Sequence, residues 1–142
     1  MTYALRATQV KQMLDGRFAQ RGKMQKTIKE IFSKTVIEKI IYLINQIQNK
    51  NYNIIRTEPF YSRCNPEDVE RVIREYNRTI IEVPIQEIEN TEVIKLIKEK
   101  DTFAIDIDLW TIEEGRSDLT LQIIVENNRN KSRIGIEDLH VL

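Results

Sequence analysis

The strongest structural signal in the chain lies in residues 103–126, FAIDIDLWTIEEGRSDLTLQIIVE. Apolar and polar residues alternate on both sides of a central acidic turn, and a period of two is typical of half-buried β-strands. The odd-numbered positions carry the apolar set in both runs: Phe103, Ile105, Ile107, Leu109, Leu119, Leu121, Ile123 and Val125. The segment therefore predicts two antiparallel strands with one apolar face.

Further strands are predicted on both sides of this pair. Residues 79–83 fit a short strand that Pro84 closes. Residues 92–98 fit either a strand or a short helix, and their β-branched residues favour the strand. Ile134 and Ile136 mark a last strand that runs toward His140. The C-terminal half is thus predicted to be an antiparallel meander.

The N-terminal half is predicted to be helical. Residues 27–49 have apolar side chains at helical spacing over a wide stripe, so this helix should be covered on more than one side. Asn65 and Pro66 are suited to the N-cap and the first turn of a further helix. A looser apolar stripe predicts another helix within residues 5–18. The fold class is α+β, with N-terminal helices packed on a curved antiparallel sheet.

Length and composition indicate one soluble domain. We predict that residues 1–26 form an N-terminal helical extension and that residues 27–142 form a single α+β domain. No apolar run approaches the roughly 18 residues that cross a bilayer, and the N-terminus lacks the features of a secretory signal. Cys64 is the only cysteine, which fits a reducing compartment. We expect a cytoplasmic protein.

Charge is unevenly distributed although the net charge is zero. Residues 1–80 contain 15 Lys and Arg against 8 Asp and Glu, whereas residues 81–142 contain 7 against 14. Such asymmetry is typical of a surface that binds a charged partner. It is equally explained by solvated lysines on helices and solvated carboxylates on strands and turns.

The sequence contains no familiar catalytic or cofactor-binding motif, whether a phosphate-binding glycine loop, a paired-cysteine motif or a nucleophile elbow. One His and one Cys do not make a metal site without several carboxylates. His140 is expected at the surface, and Cys64 is expected to cap a loop or pack as a small apolar residue. We therefore predict no catalytic residue, no metal and no cofactor.

The carboxylates around the central turn are the candidate site. Asp106 and Asp108 alternate with the apolar set and share one strand face, and the turn adds Glu113, Glu114 and Asp118. Paired carboxylates can serve acid–base chemistry or bind a hard cation. The clean alternation favours a solvated face instead. Gly115 is suited to a left-handed turn position, and Arg116 is expected to pair with Glu113 or Glu114.

Trp110 falls on the same strand face as Asp106 and Asp108 rather than on the apolar face. An indole on a polar face, ringed by carboxylates, is typical of an interface anchor with a charged rim. Alternatively, the N-terminal helix covers it. The predicted partner-binding set is Asp106, Asp108, Trp110, Glu113, Glu114, Arg116 and Asp118.

Residues 103–142, and less clearly the stretch from Val36 onward, resemble a family of small bacterial proteins with the tail LWTIEEGRSDLTL…IEDLHVL. The order of three helices followed by a curved sheet is similar to the nuclear-transport-factor-like cone fold. Proteins of this appearance resemble immunity proteins, which bind and neutralise a cognate toxin domain. Residues 1–26 fall outside the resemblance.

Three functions follow from these observations. The first is a non-enzymatic, immunity-type inhibitor whose acidic face binds a basic site on a toxin domain. The second is a cone-fold enzyme, isomerase- or dehydratase-like, with a carboxylate base in a pocket, although the inner apolar set supplies no such group. The third, nucleic-acid binding by the basic N-terminal half, ranks last because no aromatic–basic stacking pattern accompanies the charge. The oligomeric state is not predicted.

Overall fold

The computed structural model describes residues 26–96, 101–128 and 131–142. Its helices are α1 (Ile28–Ile31), α2 (Lys34–Gln48), a 3-10 helix (Tyr52–Arg56), α3 (Pro66–Tyr76) and α4 (Ile85–Glu89). Its strands are β1 (Lys26–Thr27), β2 (Phe60–Ser62), β3 (Ile80–Ile81), β4 (Glu92–Lys95), β5 (Thr102–Thr111), β6 (Gly115–Asn128) and β7 (Lys131–Val141).

The strands form one curved open sheet in the order β1-β4-β5-β6-β7-β2, with β3 paired to the end of β5. All pairings are antiparallel except that of β2 with β7, which is parallel. The predicted α+β class and the predicted antiparallel meander of β5, β6 and β7 are confirmed. The parallel edge strand β2 was not predicted, because FYS is too short to show a period.

The core lies between α2 and one face of the sheet. α2 buries five aliphatic side chains: Val36, Ile40, Leu43, Ile44 and Ile47. The predicted apolar set of β5 and β6 faces them and is buried, apart from Phe103, which is half-buried and makes an edge-to-face contact with Phe32. Removing each such aliphatic side chain from water contributes about 1.5–3 kcal/mol, so this layer supplies the main stabilisation of the domain.

The helix predicted over residues 27–49 is divided in two. α1 ends at Ile31, and Phe32 and Ser33 have extended backbone before α2 begins at Lys34. The Ser33 hydroxyl accepts a hydrogen bond from Val36 N at 3.4 Å, so a side-chain cap competes with helix continuation at this point. Apolar spacing alone does not reveal such a break.

The predicted start of α3 is confirmed. Asn65 occupies the N-cap position, Pro66 the first turn, and Asn77 ends the helix in the left-handed region with φ of 56°. The side chain of Asn65 does not cap the helix, because its Oδ1 accepts a hydrogen bond from Arg56 at 2.9 Å. α3 packs Val69 and Val72 into the core cluster.

A bulge at Glu137 inverts the alternation of β7. Gln122 pairs with Asp138 while Ile123 pairs with Ile136, so one extra residue is accommodated between them. Ile136 and Leu139 therefore both face the core, and Asp138 and His140 face the opposite side. The three-residue spacing between Ile136 and Leu139 was the available sequence signal for this bulge.

The predicted boundary between the N-terminal extension and the domain, after residue 26, falls within strand β1. Lys26 and Thr27 form β1 and pair with Val93 and Glu92 of β4, so the sheet includes Lys26. β4 confirms the preference for a strand at residues 92–95. The predicted helix within residues 5–18 and the rest of the N-terminal extension lie outside the described residues. No helix in the described part of the chain has the length and apolar character of a membrane span.

Candidate functional site

Residues 112–118, here called the acidic turn, comprise the three residues that connect β5 to β6 and the first four residues of β6. Gly115 has φ of 73°, which confirms the predicted left-handed turn position and explains the glycine. The acidic turn projects four predicted site residues to the surface, Glu113, Glu114, Arg116 and Asp118, all of which are exposed. Sequence spacing therefore identified which carboxylates surround the turn.

Glu113 is fixed by the segment that precedes β3. Its carboxylate accepts hydrogen bonds from Thr79 N at 2.9 Å and Thr79 Oγ1 at 3.0 Å. The bond from the Thr79 backbone N–H is the main reason that the pKa of Glu113 lies below its ordinary value, since it stabilises the charged form. The side chain is therefore anionic and held in one orientation.

Glu114 joins the acidic turn to the C-terminal end of α3. The Tyr76 hydroxyl lies 2.8 and 2.9 Å from the two carboxylate oxygens of Glu114 and donates to them, and Thr111 Oγ1 donates to Oε1 at 3.1 Å. Partial burial, followed by the bond to Glu114, raises the pKa of the Tyr76 phenol. A helix end thus orients a second carboxylate.

Ile112 was not predicted as a site residue, yet its side chain is 67% exposed and precedes the two fixed glutamates. It is the most exposed large apolar side chain of the described residues. Asp118 is also exposed, and its backbone carbonyl accepts from Leu142 N at 2.9 Å. Strand alternation gives no information about a turn position such as Ile112, which explains the omission.

Asp106 and Asp108 differ from the solvated pair that the sequence predicted, because both are half-buried. Asp108 accepts from Arg116 Nε at 2.9 Å and from Thr120 Oγ1 at 2.9 Å. The predicted pairing of Arg116 with Glu113 or Glu114 is therefore wrong, because the paired strands place Arg116 near Asp108. These two aspartates are less exposed than the four site residues of the acidic turn.

Trp110 lies beside the acidic turn and is half-buried. Its strand partners are Ile81 of β3 and Arg116 of β6, and it packs partly against the core cluster. The indole ring lies next to Gly115, since a Cβ added to that glycine would be 3.7 Å from a ring carbon. The side chain is neither an exposed anchor nor fully enclosed, so its role in binding stays a prediction.

The prediction of a solvated face is wrong for the centre of the sheet. Four polar side chains there, here called the buried polar row, are at most 5% exposed: Thr120, Gln122, Asp138 and His140. His140 was expected at the surface and is 1% exposed. Its Nδ1 lies 3.6 Å from Asp138 Oδ2, longer than a hydrogen bond, and Asp138 Oδ1 accepts from Leu139 N at 3.0 Å. Polar side chains on one face of a strand are expected to be exposed to solvent, so the alternation in the sequence did not indicate that this row is buried.

The family assignment rests on residues 44–142, which match a family described as a domain of unknown function (DUF7668). The chain belongs to this family. The DUF7668 region includes every predicted site residue and all strands from β2 onward, whereas β1, α1 and most of α2 precede it. No curated protein and no solved structure matches the chain.

A cleft of about 220 Å³ lies within the DUF7668 region, between α3, the segment that precedes it and the bulged part of β7. Arg63, Arg71, Asp68, Glu137 and Asp138 supply its charged lining. Cys64 also lines it, half-buried, with Sγ 3.7 Å from the Glu137 carbonyl oxygen. Among the described residues, no group of three or more His, Cys, Asp or Glu side chains is arranged to hold a metal ion.

Proposed function

We propose that this DUF7668 protein is a non-enzymatic binding protein, an immunity-type inhibitor that occludes a basic site on a cognate toxin domain through its acidic turn. The observation that carries the proposal is an exposed isoleucine, Ile112, followed by two carboxylates that other elements hold in place. An apolar centre with a charged rim is the arrangement of many protein interfaces.

Pre-orientation favours binding by this turn. Glu113 is held by Thr79, and Glu114 is held by Tyr76 and Thr111, so neither carboxylate needs to be ordered when a partner arrives. Immobilising a flexible side chain at an interface costs about 0.5–1.5 kcal/mol, and these bonds remove much of that cost. The acidic turn therefore binds as a rigid projection.

Charge favours a basic partner. Residues 81–142 contain 14 acidic against 7 basic residues, and Glu113, Glu114 and Asp118 concentrate the excess at one end of the sheet. Such a surface steers a basic partner and raises the association rate, most strongly at low ionic strength. A nuclease active site, which binds phosphates, has the complementary charge.

The cone-fold enzyme remains the second candidate because of one observation. Asp68, which is half-buried, lines the cleft between α3 and β7, where a carboxylate base would be required. The core-facing residues of β5 and β6 supply no ionisable group to complete such a site. The fixed acidic turn has no role in that alternative, so the binding function accounts for more of the structure.

The test is binding of the purified protein to the product of the neighbouring gene, measured by surface plasmon resonance at two salt concentrations. We expect Ile112→Ser to speed dissociation, because it removes the apolar centre, with a loss of affinity of about tenfold or more. Asp118→Lys should slow association, and the effect should shrink at high salt. Asp118 is chosen over Asp108 because Asp108 has bonds to Arg116 and Thr120.

Glu38→Lys provides the matched control, since Glu38 is an exposed acidic residue on α2, away from the turn. It changes net charge by the same amount and should leave affinity unchanged. Denaturant unfolding of each variant checks that the fold is intact. Wild-type protein that fails to bind, or turn variants that bind as well as the control, would rule out the acidic-turn interface.

A further inference from the structure

The cleft between α3 and β7 is separate from the acidic turn and is not used by the proposed protein-binding function. α3 lines the cleft from Asp68 to Val72 and contacts the turn through Tyr76, four residues after Val72. At 1.5 Å per residue, Val72 and Tyr76 are about 6 Å apart along the helix axis. The cleft and the turn therefore use different residues of the same helix.

The lining of the cleft has charges of both signs. Arg63 is paired with Glu137, and Arg71 lies 3.5 Å from Asp68. Asp138 also borders the cleft, but its side chain lies on the opposite face of β7 from Leu139. A ligand with a single charge would attract one set of these groups and repel the other, whereas a ligand with both charges can contact each set favourably.

The rest of the lining is apolar and rigid. Val69 and Val72 of α3 and Leu139 of β7 line the cleft and are buried members of the core cluster. They offer a fixed aliphatic wall beside the charged groups, which is the usual composition of a small-molecule site. The volume of about 220 Å³ is below the roughly 300 Å³ at which drug-sized ligands are accommodated, so the ligand is small.

We propose that this cleft binds a small zwitterion, an α-amino acid with an aliphatic side chain. Its ammonium group is placed between the carboxylates of Asp68 and Glu137, and its carboxylate is placed toward the guanidinium groups of Arg63 and Arg71. The aliphatic side chain contacts the apolar wall.

Three probes of similar shape test the charge requirement with the full-length protein. Leucine has both charges, 3-methylbutylamine has only the ammonium group, and 4-methylpentanoate has only the carboxylate. Binding is followed through the methyl NMR signals of Val69, Val72 and Leu139. We expect leucine to shift these signals in a saturable manner and to bind about tenfold or more tightly than either single-charge analogue, because each lost charge-assisted bond lowers affinity by that order.

Arg63→Gln tests the position of the carboxylate, since the Arg63 side chain is 65% exposed and its loss should not unfold the protein. It should weaken leucine and 4-methylpentanoate by about tenfold while leaving 3-methylbutylamine unchanged. Arg116→Gln is the matched control, because Arg116 is 68% exposed and is paired with Asp108 outside the cleft.

Each remaining result contradicts the proposal. If 3-methylbutylamine binds as tightly as leucine, the cleft is a cation site. If 4-methylpentanoate binds as tightly as leucine, the cleft is an anion site. If the methyl signals stay unchanged in a saturated solution of leucine, the cleft does not bind aliphatic amino acids. Equal losses in Arg63→Gln and Arg116→Gln would mean that the effect is not local to the cleft.

Discussion

At the scale of single residues, the contact between Tyr61 and Gly135 shows how a side chain can require a glycine. Tyr61 of β2 lies beside Gly135 of β7, and a Cβ at residue 135 would be 2.3 Å from a ring carbon of Tyr61. The ring cannot move aside easily, because its hydroxyl donates to Glu126 at 2.6 Å and the Arg133 guanidinium lies 4.5 Å from its centroid. Burial, together with the bond to Glu126, raises the pKa of the Tyr61 phenol, so the hydroxyl remains a donor.

Gly135→Ala should therefore destabilise the protein by about 1–3 kcal/mol, the usual cost of overpacking a filled site. Urea unfolding measures the change. In a Tyr61→Ala background the same substitution should cost much less, since the ring that it meets is gone. Equal costs in the two backgrounds would show that the ring is not the reason for the glycine.

At the scale of elements, the acidic turn is stabilised by groups from outside it. Thr79 bonds to Glu113, and Tyr76 bonds to Glu114, so the end of α3 and the entry to β3 determine the turn conformation. The sequence predicted the turn and its left-handed Gly115 because these depend on local backbone chemistry. Its partners could not be predicted, because Tyr76 and Thr79 are more than 30 residues away in the chain.

The bond between Thr79 and Glu113 should make stability depend on pH. The pKa of Glu113 is lowered in the folded state from an ordinary value of 4.5, so its contribution is present above that value and is lost as the pH falls through the folded pKa. Glu113→Gln should therefore be less stable than wild type at about pH 7, and the difference should be smaller at about pH 3.

Guanidinium unfolding at both pH values provides the measurement, with Glu75→Gln as an exposed control on α3. The control removes an exposed carboxylate outside the acidic turn, so the comparison isolates the part of the pH dependence that belongs to the Glu113 site. A Glu113→Gln difference that persists unchanged in acid would mean that the carboxylate charge contributes nothing to the turn.

At the scale of the whole molecule, one apolar cluster extends from Ile28 of α1 to Leu139 of β7. The period-two and helical patterns predicted most of it, because burial of apolar side chains is what those patterns encode. They did not predict the buried polar row on the other face of the sheet, since Gln and Asp, the residue types of Gln122 and Asp138, are mostly exposed in proteins. Long-range placement, rather than local pattern, decides their burial.

The bulge at Glu137 has a consequence for how the chain tolerates a change in length. Deleting Glu137 would restore strict alternation in β7 and leave Ile136 and Leu139 on the core face. The other side chains of the strand would therefore also keep the faces that they have now. Deleting Gln122 from the middle of β6 has no such compensation, because the residues beyond it exchange faces. We expect the Glu137 deletion to give a soluble protein with a lowered melting temperature and the Gln122 deletion to give none. If both deletions fail alike, β7 needs its extra residue, and the insertion has become part of the fold.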